Sequence, residues 1–344
     1  MEYIFCYSKN MDSNSIAQKL VHKGKGILAA DESTPSCNKR FAQAGIPETE
    51  EMRRQWRQLL VAAPGSEEFL SGVILYDETI RQQTDEGVPF AKLLQDKGIV
   101  PGIKVDQGLV DFQEHPGESI TQGLDGLAGR LKEYYEMGAR FTKWRALIVI
   151  GEKIPTQECI QKNARILAEY AKVSQQEGFV PIIEPEVLLD GDHTIQKAEE
   201  VTTDTLKTVF AEVQKAGVDL PGLILKSSMV LSGKDCSAQA GAKEVAEATI
   251  RTFQNSVPKE VAGIVFLSGG QSPQQATENL NEIIKLGPQS WPITFSFSRA
   301  LQEPALAAWR GEPEKIHEAQ QIFLHRLRLN HAALSGQYTP DMEG

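Results

Sequence analysis

The chain has 344 residues, of which 41% are hydrophobic and 24% charged, and its formal net charge is −10. This composition predicts a soluble globular protein with a large core, since no apolar run approaches the roughly 20 residues of a membrane span. The acidic balance disfavours nucleic acids and anionic membranes as partners. An acidic protein that binds anions must gather its lysines and arginines locally.

The N-terminal segment and the cysteines both favour a cytoplasmic protein. Tyr3–Tyr7 is too short for a signal-peptide core, no basic region precedes it and no transit sequence follows, while Met11 is an alternative start. The cysteines lie far apart, without a Cys-x-x-Cys pair, which disfavours a zinc site and a disulfide framework. They are Cys6, Cys37, Cys159 and Cys236.

Short apolar runs, often β-branched, recur along the chain, and stretches of helical periodicity lie between most of them. They predict eight strands, at 26–31, 72–77, 100–106, 141–148, 180–189, 222–230, 263–270 and 291–299. Repeated strand–helix order with eight strands predicts an α/β protein of the (β/α)8 TIM barrel class. We expect a single domain over 1–344, with the barrel at about 26–300, a C-terminal helix and tail at about 304–344, and an extra N-terminal helical segment.

Helical periodicity is clearest between the later strands. In 158–177, Ile160, Ala164 and Leu167 fall on one face. Similar patterns predict helices over 193–216, 237–254 and 272–286, and further helices over 91–97 and 312–333. Ser272 can cap the helix that follows it, and Pro273 suits the first helical position.

Lys226 is the residue that best indicates chemistry. It lies within the apolar run 222–230, GLILKSSMV, which is typical of a buried strand. Burial disfavours a charged ammonium and therefore favours the neutral amine that Schiff-base formation with a carbonyl requires. The alternative is a core lysine neutralised by a carboxylate.

Other polar residues sit near the carboxyl ends of the predicted strands, and the two-residue period places some of them on one face. These residues are the pairs Lys104 and Asp106, Lys143 and Arg145, and Glu184 and Glu186, together with Asp31, Ser268 and Arg299. A purely structural barrel interior would hold Val, Ile and Leu instead. Their convergence predicts an active site at the C-terminal face of the barrel.

Three lysines compete for the role of nucleophile. Asp106 should keep Lys104 charged and suited to binding an anion, whereas Arg145 on the face of Lys143 disfavours the charge of that lysine. Arg145 also makes Lys143 a natural partner for a phosphate or an oxyanion. Lys226 has apolar residues before it and small or apolar ones after it, so we predict that Lys226 forms the Schiff base.

Cleavage of a carbon–carbon bond through an iminium needs an acid to expel the carbinolamine hydroxyl and a base for the substrate hydroxyl. Glu184, Glu186 and Asp31 supply carboxylates. Two glutamates in one cavity ionise together only if cations neutralise them, which predicts that one is protonated near pH 7 as a general acid. Alternatively, both are structural partners of Lys143 and Lys226.

Two groups of residues are suited to phosphate. The loop Ser268–Gly270 precedes a helix, where backbone N–H groups and the helix dipole attract anions, and Arg299 can close this site. A second group could hold a second phosphate, although its Ser33–Ser36 segment alone is typical of a turn. Its members are Ser33, Ser36, Arg40 and Lys104.

The histidines lie outside the predicted strands, so no set of metal ligands converges on the active face, and we predict no metal. They are His22, His115, His193, His317, His325 and His331. We expect His193 at a helix start, and His317, His325 and His331 on the last helix, as surface residues.

Several segments, taken together and in order, resemble class I fructose-bisphosphate aldolase from about Ile16 to about Ser335. They are Leu28–Ser33, Gly102–Asp106, Lys143–Arg145, Glu184–Glu186, Leu225–Lys226, Phe266–Ser272 and Arg299–Gln302. An ordered series of matches is more specific than any single motif. The resemblance implies a barrel that reversibly cleaves fructose 1,6-bisphosphate into dihydroxyacetone phosphate and glyceraldehyde 3-phosphate, in glycolysis, gluconeogenesis or the Calvin cycle, without a metal or other cofactor.

The resemblance also implies roles for individual residues. Lys226 would form the Schiff base, Glu184 would serve its acid–base steps and Asp31 would take the C4 hydroxyl proton. Lys143 would assist carbinolamine chemistry and charge balance, and Glu186 would position the lysines. The C1 phosphate would lie at Ser268, Gly269, Gly270 and Arg299, and the other end of the substrate at Ser33, Ser36, Arg40, Lys104 and Arg145. The resemblance also implies a homo-oligomer, since relatives are commonly tetramers.

The sequence departs from the family pattern in three places. Ser227-Ser228 follows Lys226 where many relatives have Pro-Asn or Pro-Ser, and Ser298 stands where the family usually has glycine. The chain also lacks the terminal tyrosine that many relatives use for proton exchange on the enamine. We take Tyr338, six residues from the end, as a hypothetical substitute.

Two alternative functions fit the same residues. The substrate could be fructose 1-phosphate or sedoheptulose 1,7-bisphosphate, which activity ratios would decide. The chain could also be a sugar-phosphate-binding or scaffold protein that has lost catalysis. The presence of Lys226, Glu184, Asp31 and Lys143 disfavours this second alternative, because a binder has no use for a desolvated lysine.

Overall fold

The computed structural model describes residues 13–344, so Tyr3–Tyr7 and Met11 lie outside the described residues. The strands are β1 (Gly26–Ala30), β2 (Leu70–Leu75), β3 (Val100–Lys104), β4 (Leu109–Asp111), β5 (Ser119–Thr121), β6 (Phe141–Ile148), β7 (Val180–Val187), β8 (Ile224–Ser227), β9 (Gly263–Phe266) and β10 (Ile293–Phe297). Eight of them form a closed parallel barrel in the order β1-β2-β3-β6-β7-β8-β9-β10, and β4 and β5 pair as an antiparallel hairpin. The prediction of a (β/α)8 barrel is confirmed.

Helices surround the barrel and close one end of it. They are α1 (Ser13–Leu20), α2 (Thr34–Ala44), α3 (Glu50–Val61), α4 (Asp77–Ile80), α5 (Phe90–Asp96), α6 (Leu127–Glu136), α7 (Gln157–Gln176), α8 (Ile195–Lys215), α9 (Ala242–Ser256), α10 (Pro273–Lys285), α11 (Arg299–Trp309) and α12 (Ile316–Ala333). Short 3-10 turns lie at Ser66–Glu68, Leu220–Gly222, Pro313–Lys315 and Pro340–Glu343. None of the helices in 13–344 is long and apolar enough to cross a membrane.

The predicted elements recur with small shifts, and the structure adds others. Ser272 caps α10 by accepting from the Gln275 N–H, as its sequence predicts. The helix predicted from 237 begins only at Ala242, after Gly241. The β4–β5 hairpin and the helices α2, α3, α6 and α11 were not predicted. Position 304, the approximate start of the predicted C-terminal helix, lies within α11.

The N-terminal helix α1 closes the barrel at the amino ends of its strands. Leu20 is fully buried, and a Cβ at Gly72 of β2 would lie 2.6 Å from its Cδ2. The Ser71 hydroxyl donates to the Leu20 carbonyl at 2.6 Å. Ile16 and Val21 join the apolar cluster that fills this end of the barrel interior. Apolar burial and a close backbone contact therefore fix α1 as a plug.

The barrel interior changes character along its axis. Its inner apolar cluster includes Ala29, Phe141, Ile182 and Ile224. Two residues further along each strand or its end, the chain has a charged residue: Asp31, Lys143, Glu184 and Lys226 respectively. Because successive side chains alternate between the faces of a strand, these charged residues point into the same interior at one level. The barrel interior is therefore apolar toward the amino ends of the strands and charged toward their carboxyl ends.

Candidate active site

Four buried charged residues form a continuous chain of ion pairs at the carboxyl ends of the strands. Glu184 of β7 lies between two lysines, with Oε1 3.1 Å from Lys226 Nζ and Oε2 3.0 Å from Lys143 Nζ. Lys143 also lies 2.8 Å from Asp31 Oδ2. Each side chain is less than a tenth exposed. Lys143 therefore has two carboxylate partners, whereas Lys226 has one.

This pairing fixes the charge states of three of the residues. Burial alone would lower the pKa of Lys143, but Asp31 and Glu184 outweigh it and raise that pKa above its ordinary value. Burial alone would raise the pKa of Asp31, but Lys143 and Lys226 lower it to about 2. The same two lysines, with Arg145, overcome burial and lower the pKa of Glu184.

These charge states correct the expectation for Lys143 and narrow the one for the two glutamates. Arg145 was expected to disfavour the charge of Lys143, yet Asp31 and Glu184 hold Lys143 firmly protonated. One of the two glutamates was expected to be protonated near neutral pH, and Glu184 is not that one, because the two lysines that contact it hold its pKa below its ordinary value. Glu184 can act as an acid only after it has received a proton.

Glu186 has a different partner from the one that the family resemblance implies. Its carboxylate accepts from Nε of Arg145, and the ion pairs of the described residues link it to neither Lys143 nor Lys226. Glu186 is almost buried, whereas 37% of the Arg145 side chain is exposed. The guanidinium therefore lies at the mouth of the barrel, held from inside by Glu186.

Lys104 has its own carboxylate partner. Its ammonium donates to Oδ1 of Asp106 at 2.5 Å and to the Asp106 carbonyl at 3.0 Å. Asp106 Oδ2 also accepts from the backbone N–H of Arg145 at 3.3 Å. As the sequence predicts, Asp106 lies beside Lys104, and the two form an ion pair.

The loop after β9 approaches the helix start after β10. Gly269 and Gly270 have φ values of 59° and 92°, in the left-handed region that favours glycine. The Gln271 N–H donates to the Ser268 carbonyl at 3.0 Å, which closes a tight turn. A Cβ at Gly270 would lie 3.6 Å from Arg299 Nη2, so the exposed Arg299 reaches over this turn. The two elements together place a cation beside a tight glycine turn, an arrangement that suits an anion.

The residues predicted to bind a second phosphate have different partners in the structure. Ser33 precedes α2 in the N-cap position, and its hydroxyl lies 3.1 Å from that of Ser36. Arg40 lies on the same helix but contacts Glu32, and its Nη1 donates to Gln302 Oε1 at 3.1 Å. Ser33–Ser36 was interpreted as a turn, yet Pro35 in the first helical turn favours a helix start.

Glu32 and Gln302 lie in segments that resemble the aldolase family, but no role was predicted for either residue. Glu32 is partly buried and Gln302 fully buried, and both contact Arg40. The only sequence signal for Glu32 is the two-residue period, which turns it to the side of β1 opposite Asp31. Its partners lie up to 266 positions away, so sequence spacing could not reveal them.

The structure contradicts the expectation for His193 and gives no support to the hypothesis for Tyr338. His193 is buried rather than on the surface, and burial lowers its pKa. The Tyr338 hydroxyl donates to Glu343 Oε1 at 2.8 Å, and Tyr338 N–H donates to Asn281 of α10. Burial and the bond to Glu343 raise the pKa of Tyr338. Tyr338 is thus tied to the outer helices, and its proposed role in proton exchange gains no support.

Among residues 13–344, no group of three or more His, Cys, Asp or Glu side chains is arranged to hold a metal ion. Cys37, Cys159 and Cys236 are free thiols. Both carboxylates of the central cluster, Asp31 and Glu184, are paired with lysine ammonium groups instead. This donor set suits proton transfer and the binding of anions.

Comparison with known proteins gives one consistent family. The family model described as glycolytic fructose-bisphosphate aldolase class-I matches residues 12–344. A probable fructose-bisphosphate aldolase class 1 of Xanthomonas campestris is 51% identical, over 94% of this chain and 97% of the relative. Cytosolic fructose-bisphosphate aldolase 5 of Arabidopsis thaliana is 47% identical, over 95% and 92%.

A solved structure agrees with the sequence comparisons. Fructose-bisphosphate aldolase from Plasmodium falciparum, in complex with TRAP and a small molecule inhibitor, superposes with a TM-score of 0.94 at 46% identity. The match covers 95% of each chain. The chain therefore belongs to the class I fructose-bisphosphate aldolases, which are lyases of the TIM barrel fold.

Proposed function

We propose that this enzyme cleaves fructose 1,6-bisphosphate reversibly through a Schiff base on Lys226, with Glu184 carrying protons and Asp31 acting as the base. The observation that carries the proposal is the unequal pairing of the two central lysines. Lys143 contacts two carboxylates and Lys226 contacts one. Lys143 therefore stays cationic, and Lys226, with one carboxylate partner fewer, is the better placed of the two to act as the nucleophile.

The first step is a proton transfer inside the buried cluster. Lys226 passes a proton to Glu184, whose Oε1 is 3.1 Å away. Two lysines and two carboxylates have no net charge before the transfer, and the cluster has none afterwards, so the transfer needs no counterion from solvent. It yields a neutral amine and a protonated carboxyl next to each other.

The amine then attacks the C2 carbonyl of the substrate to form a carbinolamine. Glu184 donates its proton to the hydroxyl, which leaves as water, and the C2 centre becomes an iminium on Lys226. The cation of Lys143, 3.0 Å from Glu184, favours return of Glu184 to the carboxylate. Reversal of these steps hydrolyses the Schiff base at the end of the cycle.

Asp31 acts in the cleavage step. It takes the proton of the C4 hydroxyl, the C3–C4 bond breaks, and its electron pair moves to the iminium to give an enamine. Glyceraldehyde 3-phosphate leaves as the aldehyde, and protonation of the enamine at C3 gives the iminium of dihydroxyacetone phosphate. Asp31 is in its basic form at neutral pH because its pKa is about 2, and Lys143 at 2.8 Å is placed to balance charge.

The two phosphate groups fit the two cationic regions of the mouth. Ser268, Gly269, Gly270 and Arg299 would hold the C1 phosphate, where a tight turn meets a cation. The other end of the substrate would lie near Ser33, Ser36, Arg40, Lys104 and Arg145. In this assignment Glu186 acts through Arg145, the cation that it contacts, rather than through the lysines.

Three wider features belong to the same proposal. A single domain over 1–344 is supported by a continuous apolar cluster that, within residues 13–344, includes residues from β1 to Tyr338. A cytoplasmic location is supported by the name of the cytosolic Arabidopsis relative. Assembly as a homo-oligomer, commonly a tetramer in the family, rests on the sequence resemblance alone.

A direct assay tests the proposal. Cleavage of fructose 1,6-bisphosphate is measured with and without a chelator, for the unmodified chain and for Lys226→Arg, and compared with fructose 1-phosphate and sedoheptulose 1,7-bisphosphate. We expect unchanged activity with chelator and loss of activity in the variant, because a guanidinium does not form the Schiff base. Activity that survives Lys226→Arg, or that chelation removes, would contradict the mechanism.

A further inference from the structure

A partly buried polar network surrounds Glu32, the residue after Asp31. Its Oε2 accepts from Arg57 Nη1 at 2.7 Å, while Oε1 accepts from Ser298 Oγ at 2.7 Å and from Arg40. Burial alone would raise the pKa of Glu32, but Arg57 and Arg40 outweigh it and lower that pKa. Glu32 is thus a fixed carboxylate with three donors.

This network links the helices α2, α3 and α11 to the carboxyl end of β1, next to Asp31. Arg40 belongs to α2, Arg57 to α3, and Gln302 to α11. Gln302 is fully buried, and its Nε2 donates to the Ala29 carbonyl of β1 at 2.6 Å. Its Oε1 accepts from Arg40, so Arg40 is held between Glu32 and Gln302. The carboxyl end of β1 and the start of α11 are therefore linked by side chains.

Ser298 provides the most direct of these links. It occupies the N-cap position of α11, but its hydroxyl makes no cap hydrogen bond and donates to Glu32 instead. The next residue is Arg299, which reaches over the Gly270 turn. A glycine, which the resemblance gives as the usual residue here, has no hydroxyl and could not make this bond. The link is a property of the residue found in this chain.

We propose that Glu32 and Ser298 are positioning residues that couple the two phosphate ends of the site. Glu32 orients Arg40 at one end, and the Ser298 hydroxyl ties the same carboxylate to the helix start that carries Arg299 at the other. The inference rests on the proposed function, because it takes Arg40 and Arg299 as phosphate ligands. Neither Glu32 nor Ser298 needs to touch the substrate for this role.

The effect of Ser298 on substrate binding through Arg40 should therefore depend on the substrate. A substrate with two phosphates uses both ends, whereas fructose 1-phosphate uses only the end at Arg299. Loss of the Ser298 hydroxyl should therefore raise KM for fructose 1,6-bisphosphate by about fivefold, since small misplacements of binding groups weaken binding. The KM for fructose 1-phosphate should change by less than about twofold, and kcat should be nearly unchanged for both substrates.

A double-mutant cycle on the full chain tests the coupling. Ser298→Ala, Arg40→Ala and the double variant are compared by kcat and KM for both substrates. Arg40→Ala leaves Glu32 paired with the buried Arg57, so the carboxylate keeps a cation. If Ser298 acts on Arg40 through Glu32, the KM penalty of Ser298→Ala largely disappears once Arg40 is absent. Ser298→Thr keeps a hydroxyl, so its KM should lie close to that of the unmodified chain.

Ser335→Ala is the matched control, because Ser335 is exposed and its hydroxyl bonds only locally, to the Ala332 carbonyl. It should behave as the unmodified chain. Multiplicative penalties in the double variant, an equal rise in KM for both substrates, or a Ser298→Ala variant without any effect would each overturn the inference. Turnover of the unmodified chain tests the proposed function separately, so the two can fail independently.

Discussion

Two glutamates on one face of β7 have different partners, and this difference separates their roles. Glu184 contacts Lys143 and Lys226, whereas Glu186 contacts Arg145. The alternation of strand side chains predicts their shared face but gives no information on which cation each one meets. A difference in chemistry is therefore expected between two residues that the sequence presents as equivalent.

Glu184→Gln keeps the shape of the side chain but removes the proton carrier. We expect the rate of Schiff-base formation with dihydroxyacetone phosphate to fall about 100-fold or more, as is usual for loss of a general acid–base group. Glu186→Gln is the matched control and should change this rate by less than about threefold, because Glu186 contacts neither lysine. The measurement is the time course of borohydride-trapped adduct. Similar rates in the two variants would show that Glu184 does not carry the proton.

Asp31 gives a pH-dependent contribution to stability. Its pKa is lowered from 3.8 to about 2 in the folded state, so the unfolded chain binds the proton first as the pH falls. The resulting stabilisation is complete above the unfolded pKa and is lost as the pH falls through about 4 to about 2, with a decrease of about 1 kcal/mol between pH 5 and pH 3.

Asp31→Asn removes this titration, so its free energy of unfolding should fall less steeply between pH 5 and pH 3 than that of the unmodified chain. Urea unfolding at several pH values in that range measures the two slopes. Equal slopes would mean that Lys143 and Lys226 do not hold Asp31 in its charged form. The variant is also expected to be less stable at neutral pH, because it leaves Lys143 with one carboxylate fewer.

At the scale of elements, the turn after β9 and the start of α11 lie close together and form the proposed site for the C1 phosphate. Gly270→Ala puts a side chain on a residue with φ of 92°, 3.6 Å from Arg299 Nη2. We expect a loss of about 1 kcal/mol of stability from the left-handed backbone, together with a clear rise in KM for every substrate with a C1 phosphate.

Gly287→Ala separates these two effects. Gly287 has a similar φ of 88°, and a Cβ there would have no neighbour within 4 Å. This variant should lose comparable stability but keep its KM, as steady-state kinetics and urea unfolding would measure. Equal KM values in the two variants would exclude the turn after β9 as a phosphate site.

The strands and their charged residues were predictable for a physical reason. A barrel strand is buried on both faces, so its sequence is an apolar run in which Lys143, Glu184 or Lys226 is conspicuous. Elements whose signals are local and ambiguous were not predicted: Ser33–Ser36 is compatible with a turn or a helix start, and the three-residue strands β4 and β5 are too short for a period.

The partners of individual side chains could not be predicted from the sequence. The pairing of Glu186 with Arg145 depends on side-chain rotamers at the barrel mouth, and that of Glu32 with Ser298 on closure of β1 against β10. Tyr338 was assigned by its position in the chain, whereas its partner is Glu343 in the tail itself. Distances along the chain carry no information about such contacts.

At the scale of the whole molecule, the barrel separates stability from chemistry. The apolar plug α1 closes the amino ends of the strands, and the charged cluster lies toward the carboxyl ends. The two regions share the interior but not the same residues, as in other TIM barrels. A change at the plug should therefore affect unfolding without altering catalysis.

Leu20→Ala tests this separation. Leu20 is fully buried against Gly72, and removing its side chain should cost about 3 kcal/mol of unfolding free energy while kcat and KM stay nearly unchanged. Leu286→Ala is the matched control, because Leu286 is 44% exposed and should lose less than about 0.5 kcal/mol. Urea unfolding and steady-state kinetics measure both. A large loss of kcat in Leu20→Ala would show that the plug also organises the catalytic end.

The most direct test of the mechanism is borohydride trapping with dihydroxyacetone phosphate in the presence of a chelator, followed by mass mapping of the modified peptide. The unequal pairing of Lys226 and Lys143 predicts one covalent adduct, on Lys226. An adduct on Lys143 or Lys104 would contradict the assignment of the nucleophile. No adduct, with activity lost on chelation, would contradict the Schiff-base mechanism itself.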